Sequence, residues 1–348
     1  MKRINIDELY TKKRLRWSLT IICLALGLIL SIIFALSIGP VDIPMTTVFK
    51  ILFLFPQSWP DNYGIIVMKV RLPRILLCAL VGSALAVAGC AMQGLFKNPM
   101  ASPYILGISS GAAFGASLTI VLGISLGTGV FAVPYMAFIF ALITIFLVYN
   151  LAKVEGRVHM ETLLLAGIAV GTFFAAQVSL MEYIAGEELR SIVFWLMGGF
   201  WASSWDKVAI AFPLTLLGVG AMMFFSRDLN IILMGEDHAL DLGINVESVK
   251  KIILIFASLV TAAAVSVSGT IGFVGLIIPH IMRIIVGPDH RILIPSSCLV
   301  GAMFLIWTDT LARTIIQPTE LPVGIITASF GAPFFLYLLR KRKRVTGW

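Results

Sequence analysis

Asp309 and Arg313 stand four residues apart in an otherwise apolar stretch. At that spacing a carboxylate and a guanidinium share one helix face and can pair. Arg283 lies one turn beyond His280, which itself follows Pro279. A single histidine with no second ligand at workable spacing points to hydrogen bonding rather than to a metal. Gln93 and Gln177 sit in apolar runs where amides can bond across helices. Arg71 and Arg74, with Lys69, open another apolar run. They either extend toward lipid headgroups or form a cationic patch for an acidic partner. The longest polar interval that positive-charge counting places on the cytoplasmic side is 226–251. In it Leu233, Met234, Ala239, Leu240 and Leu242 recur at helical spacing, with Glu236, Asp237, His238 and Asp241 between them. Gly235 and Gly243 bracket the central turns as a start and a stop. The interval reads as a short amphipathic helix, either a solvated connector or a docking surface.

Several kinds of chemistry are missing. No GxxxxGK[ST] loop is present to cradle a nucleotide. There is no HExxH and no GxSxG. The four cysteines, Cys23, Cys78, Cys90 and Cys298, lie in apolar segments without a CxxC and read as small core residues. The chain therefore reads as a non-enzyme that binds no metal and no cofactor of its own. Work against a gradient would draw its energy from another subunit.

The elements that must position these residues are membrane spans. The chain is 59% hydrophobic and 13% charged, where a soluble domain carries about 25% charged residues. A span needs about 20 mainly apolar residues. Ten candidates follow: 17–38, 75–96, 104–123, 130–151, 162–181, 208–225, 252–268, 270–286, 292–312 and 321–339. The first is too long for a signal-peptide apolar core and is read as a retained helix. The piece 192–201 is too short to cross and reads as interfacial or re-entrant, with Trp195, Trp201 and Trp205 near the headgroups. An even count puts both basic termini on one side. That arrangement places 19 of the 26 Lys and Arg residues on it, which marks it as cytoplasmic. The expectation is an all-α polytopic membrane protein of about ten helices. A basic cytoplasmic stretch covers 1–16, a ten-helix body 17–339 with a cytoplasmic loop at 226–251, and a basic tail 340–348. Membrane lipid is an expected partner and nucleic acid is not. Small residues at four-residue spacing (Gly107, Gly111 and Gly115; Gly167 and Gly171; Gly324 and Ala328) give faces for close helix approach or for a thin-walled path.

Long strings in this sequence resemble one family. RLPRILLCALVGSALAVAGCAMQGLFKNPMASPYILGISSGA (71–112), GTIGFVGLIIPHIMRIIVGPDHRILIP (269–295) and TDTLARTIIQPTELPVGIITASFGAPFFLYLL (308–339) resemble the signatures of FecCD-type permeases. VFWLMGGFWASSW (193–205) and LMGEDHALDLGI (233–244) match in order and spacing. These permeases are the membrane subunits of ABC importers for iron-siderophores, haem and cobalamin. The resemblance implies ten helices, a homo- or heterodimer of permeases, two ATP-binding cassette subunits that hold ATP and Mg, and an extracytoplasmic substrate-binding protein. By position it implies binding-protein docking at Arg71, Arg74 and Arg313, with Asp309 holding Arg313. It implies ATPase coupling at Gly235, Glu236, Ala239, Leu242 and Gly243, and structural roles for Pro279, His280 and Arg283. Asn98 and Met100 fall on one cytoplasmic gate loop, and His159, Met160 and Glu161 on the other. Here His-Met-Glu replaces the small hydroxyl residues of the cobalamin permease pattern, which argues against cobalamin. The fifth span, with Gly167 and Gly171, is the expected path lining. A ferric siderophore is the expected cargo, with haem, cobalamin and molybdate as alternatives. A stand-alone secondary transporter is a rival reading.

Overall fold

The computed structural model describes residues 6–54, 61–125, 131–154 and 157–346. The first five residues of the basic N-terminal stretch and the last two of the tail lie outside these. Fifteen α-helices run through the described residues. They are α1 Ile6–Ser37, α2 Met45–Phe53, α3 Asp61–Ile65, α4 Leu72–Leu95, α5 Ile108–Leu122, α6 Ala132–Ala152, α7 Met160–Ile184 and α8 Leu189–Met197. The rest are α9 Trp205–Phe224, α10 Ser226–Met234, α11 Glu236–Asp241, α12 Val246–Ser268, α13 Val274–Val286, α14 His290–Thr314 and α15 Val323–Thr346. A π-turn, Ile66–Arg71, fuses α3 to α4. Two two-residue strands, Lys153–Val154 and Arg157–Val158, pair antiparallel before α7.

A helix lies at each of the ten expected spans. Seven are long and apolar enough to cross a membrane: α1, α3–α4 together, α6, α7, α9, α12 and α14. The other three, α5, α13 and the apolar part of α15, are shorter. At 1.5 Å per residue the 13 residues of α13 reach about 20 Å, less than the roughly 30 Å of a hydrocarbon core. The remainder is irregular backbone, which is tolerated at depth only where its polar groups find partners inside the protein. They do. The Tyr104 hydroxyl donates to the Ile271 carbonyl at 2.6 Å, Gly199 N–H to Ser268 O at 2.8 Å, and the Thr270 hydroxyl to Leu196 O. The break between the seventh and eighth spans is thus an irregular stretch, 269–273. The piece at 192–201 is α8 plus a Gly198–Gly199 turn. It is bonded to that break and through Gly324 N–H to the start of α15.

The core is built around α4. In its most apolar window 78% of residues are buried, against 72% in α12, 61% in α14 and 17–33% in α1, α6, α7 and α9. Glycine makes this closeness possible. A methyl added at Gly82 would lie 2.1 Å from the Gly301 carbonyl oxygen on α14, and one at Gly89 would lie 1.9 Å from the Gly275 oxygen on α13. In lipid, helices hold together by such contacts rather than by hydrophobic burial. Gly89→Ala should therefore push α13 from α4 at a cost of about 1–3 kcal/mol, read as a lower denaturation midpoint in detergent. Gly220→Ala, where an added methyl meets nothing, should leave the midpoint unchanged.

The glycine stripes named from the sequence also pack. Gly111 meets Thr144 and Gly115 meets Met136, both on α6. Gly167 and Gly171 lie on the buried face of α7 against Ile105–Gly107. They are the packed face of the span expected to line the path. The exposed face of α7 carries Leu165, Ile168, Phe173 and Leu180 instead.

Candidate functional site

Three groups of residues emerge, one at each end of the bundle and one linking them. At the end away from the basic termini, the π-turn before α4 and the last turns of α14 bring Arg71, Arg74, Asp309 and Arg313 together. Arg74 grips Asp309 through two nitrogens, with contacts at 2.8–3.1 Å, and reaches Glu320 with a third at 2.8 Å. Arg313 Nε lies 3.2 Å from Asp309 Oδ2, as its i, i+4 spacing predicted, and its remaining nitrogens donate to Thr310 and to the Ala35 and Ile38 carbonyls. Arg71 donates to the Leu36, Ser37 and Val41 carbonyls at the end of α1. The three arginines are only 3–7% exposed. This corrects the expectation that Arg71 and Arg74 extend toward lipid headgroups: all three arginines are internal. Arg71 is hydrogen-bonded to carbonyls alone, and the carboxylate close enough to act on its charge is that of exposed Asp42.

At the opposite end the long polar interval divides into α10 and α11. Gly235 sits between them at φ 148°, a backbone conformation that favours glycine, and Gly243, at φ 80°, follows α11. They are the start and stop expected. Ala239 is fully buried and anchors α11. Met234, Leu240 and Leu242 are 57–79% exposed and form an apolar knob, edged by exposed Asp237 and Asp241. Glu236 is not part of a free acidic face. It accepts from buried Lys250 at 2.7 Å and so ties α11 to α12.

The inner half holds the remaining named residues. Asn98 caps its own turn by accepting from Met100 N–H at 3.0 Å. His159 is exposed at the start of α7, and Met160 packs against the core. Gln93 bonds across helices as expected: its amide donates to the Leu276 carbonyl at 3.1 Å and its oxygen accepts from Arg283 at 2.8 Å. Pro279 is buried within α13 and His280 is half-buried beside it.

The linking group was not legible as a site in the sequence. Asn230 of α10 donates to Asp289 at 2.8 Å and accepts from the His290 backbone N–H, also at 2.8 Å. Asp289 caps α14, and its carboxylate is held by Arg291 at 2.6 and 2.9 Å and by Lys13 of α1 at 3.4 Å. Lys13 and Arg291 both lie over the Trp17 ring. The Arg291 hydrogen bonds, above all, hold the Asp289 carboxyl well below the usual carboxylate range. A depressed folded-state pKa adds stability above the unfolded value, about 3.9, and that contribution is lost as pH falls toward the folded one. Asp289→Asn should therefore lower the denaturation midpoint at pH 7, and the difference from the parent chain should shrink as the pH is lowered below about 4.

Thus α14 runs from the Asn230 contact at one end to the Asp309 cluster at the other. The sequence signals available for the missed residues were Asp289 as an N-cap and Glu320 as the lone acid of the last loop.

Comparison with known proteins agrees with this geometry. The model of the FecCD transport family matches residues 27–341. A permease protein of a cobalamin import system from Halobacterium salinarum is 48% identical over 82% of this chain and 76% of its own. A permease protein of a hemin transport system from Yersinia pestis is 39% identical over 93% of this chain and 98% of its own. A solved structure of an ABC transporter described as of metal-chelate type, in an inward-facing conformation, superposes with a TM-score of 0.82 at 34% identity. It covers 92% of this chain and 98% of its own. By the extent of the family model and the identity of these relatives, the chain belongs to the FecCD transport family.

Proposed function

We propose that this chain is the permease subunit of an ABC importer in the cytoplasmic membrane of a prokaryote, moving a metal chelate inward. It works as one of two paired permeases, with two ATP-binding cassette subunits at the α10–α11 end and an extracytoplasmic binding protein at the Arg71–Arg313 end. ATP and Mg belong to the cassette subunits. The observation that carries the reading is the Met234, Leu240 and Leu242 knob. Large apolar side chains at a polar membrane boundary mark a surface that another protein covers.

In this mechanism ATP closes the cassette subunits and draws the two α11 knobs together. Glu236–Lys250 carries the motion to α12, and Asn230–Asp289 carries it to α14. ATP shifts the equilibrium only by its differential affinity for the two states. At the outer end the arginine cluster steers an acidic binding protein and fixes its register. Arg71→Gln should then slow docking and flatten its salt dependence, measured as association rates at two ionic strengths.

Ferric siderophore is the proposed cargo. A second reading, cobalamin, is favoured by one observation, the 48% identity to the cobalamin system permease. Uptake of labelled ferric siderophore and of labelled cobalamin into proteoliposomes holding the complete transporter separates them. ATP-dependent accumulation of cobalamin alone would overturn the siderophore reading.

A further inference from the structure

The irregular segments that break α8, α12–α13 and α15 meet beside a cavity of about 490 Å³. Ile120 at the last turn of α5, Val133 and Pro134 at the first turns of α6, Arg190 and Ser191 at the first turn of α8, Lys207 at the first turn of α9, and Ser266–Gly269 at the end of α12 line it. By the alternation of the spans these ends all lie on the outer side. The apolar wall is Phe194, Trp195 and Trp201.

The charge here is one-sided. Arg190 lies over the Phe194 ring, its centre 5.6 Å from the ring centroid, and neither it nor Lys207 has an ion pair among the described residues. Lys207 stands on the same stripe of α9 as buried Ala211, Thr215 and Gly218, so its stem runs along the protein rather than into lipid. Glu187, Glu188 and Asp206 are exposed and do not line the cavity. Three helix N-termini, those of α6, α8 and α9, add about half a positive charge each. Against them stand two C-termini, those of α5 and α12. Their carbonyls are partly satisfied, by Gly123 N–H on Ile120 O and Ile124 N–H on Thr119 O in α5, and by Gly199 N–H on Ser268 O and Gly269 N–H on Val265 O in α12. A cavity of this size and position, with two cations and no carboxylate in its lining, suits an anion that carries an apolar or aromatic body.

We propose that this cavity is an oxyanion-binding site on the outer side of the permease. Arg190 and Lys207 contact a phosphate or carboxylate, and Phe194, Trp195 and Trp201 hold the rest of the molecule. Two sources offer this chemistry, the headgroup of an anionic phospholipid and a soluble carboxylate-bearing chelate. The site stands whether or not the chain imports a chelate, because the probes below are lipid and citrate.

The test uses the full-length chain in nanodiscs and reads tryptophan fluorescence, with Trp201→Phe identifying the cavity signal. In one arm brominated phosphatidylglycerol is compared with brominated phosphatidylcholine. In the other, citrate is titrated into phosphatidylcholine discs. Stronger quenching by the glycerol lipid assigns the headgroup, and a saturable response to citrate assigns the soluble ligand. In whichever arm responds, Arg190→Gln with Lys207→Gln should weaken binding at least about tenfold, the loss expected of a charge-assisted contact. Arg190→Lys with Lys207→Arg should stay within about threefold of the parent, since the charges remain. Should the glutamine pair lower the denaturation midpoint, single Arg190→Gln, at an exposed position, replaces it. No response in either arm, equal quenching by both lipids without a citrate response, or an unchanged response in the glutamine variant would overturn the proposal.

Discussion

Replacing Asp309 with asparagine should cost about 3–5 kcal/mol, the range for breaking a buried ion pair by removing one partner. Asp309 is 1% exposed and faces two guanidinium groups, those of Arg74 and Arg313. Neither can lose its charge, because arginine stays protonated in proteins. Without the carboxylate, Arg74 keeps Glu320 and Arg313 keeps carbonyls, but two buried cations are left facing each other. The control is a triple replacement by apolar residues, Asp309→Leu, Arg74→Met and Arg313→Met. Removing all the charges together should restore much of the midpoint that Asp309→Asn loses, since apolar groups of similar volume often replace a buried ion pair at no net cost. An unchanged denaturation midpoint for Asp309→Asn would show that the cluster does not hold the outer ends of α4 and α14 together.

The second large effect is expected at Leu242. Its side chain is 69% exposed, so Leu242→Arg should leave the denaturation midpoint within about 0.5 kcal/mol of the parent, as surface changes do. Association with the cassette subunits should nevertheless fall by about tenfold or more. Truncation or reversal of an anchor side chain at an interface centre costs about 2 kcal/mol or more. Glu236→Arg should also weaken association, but with a loss of stability, because it sets a second cation against buried Lys250. The pair of variants separates a surface residue from a positioning one. A pull-down in which Leu242→Arg retains the cassette subunits would remove α11 from the interface.

Much of the fold was legible in the sequence, for a physical reason. Apolar run length and the distribution of lysine and arginine depend on local composition alone, and these placed a helix at each of the ten expected spans. The Asp309–Arg313 contact was legible too, being local. What could not be read were pairings whose geometry exists only after folding. Asp309 bonds Arg74 across 235 positions, and Asn230 bonds Asp289 across 59. Gly82 and Gly301 bring two backbones together although each looks like an isolated small residue in its own span. The burial of Arg71 and Arg74 was missed for the same cause. Their partners, the Leu36 carbonyl and Asp309, lie on other helices. A charge at the outer start of a span looks exposed until the neighbouring helices are in place.

The most direct test of the central claim is reconstituted uptake. The chain is incorporated into vesicles with its cassette subunits, and a labelled ferric chelate bound to the substrate-binding protein is supplied outside. Accumulation should require ATP inside, the cassette subunits and the binding protein together, and Leu242→Arg should abolish it. Accumulation that persists at the same rate without ATP or cassette subunits would contradict the account and mark the chain as a transporter that works alone.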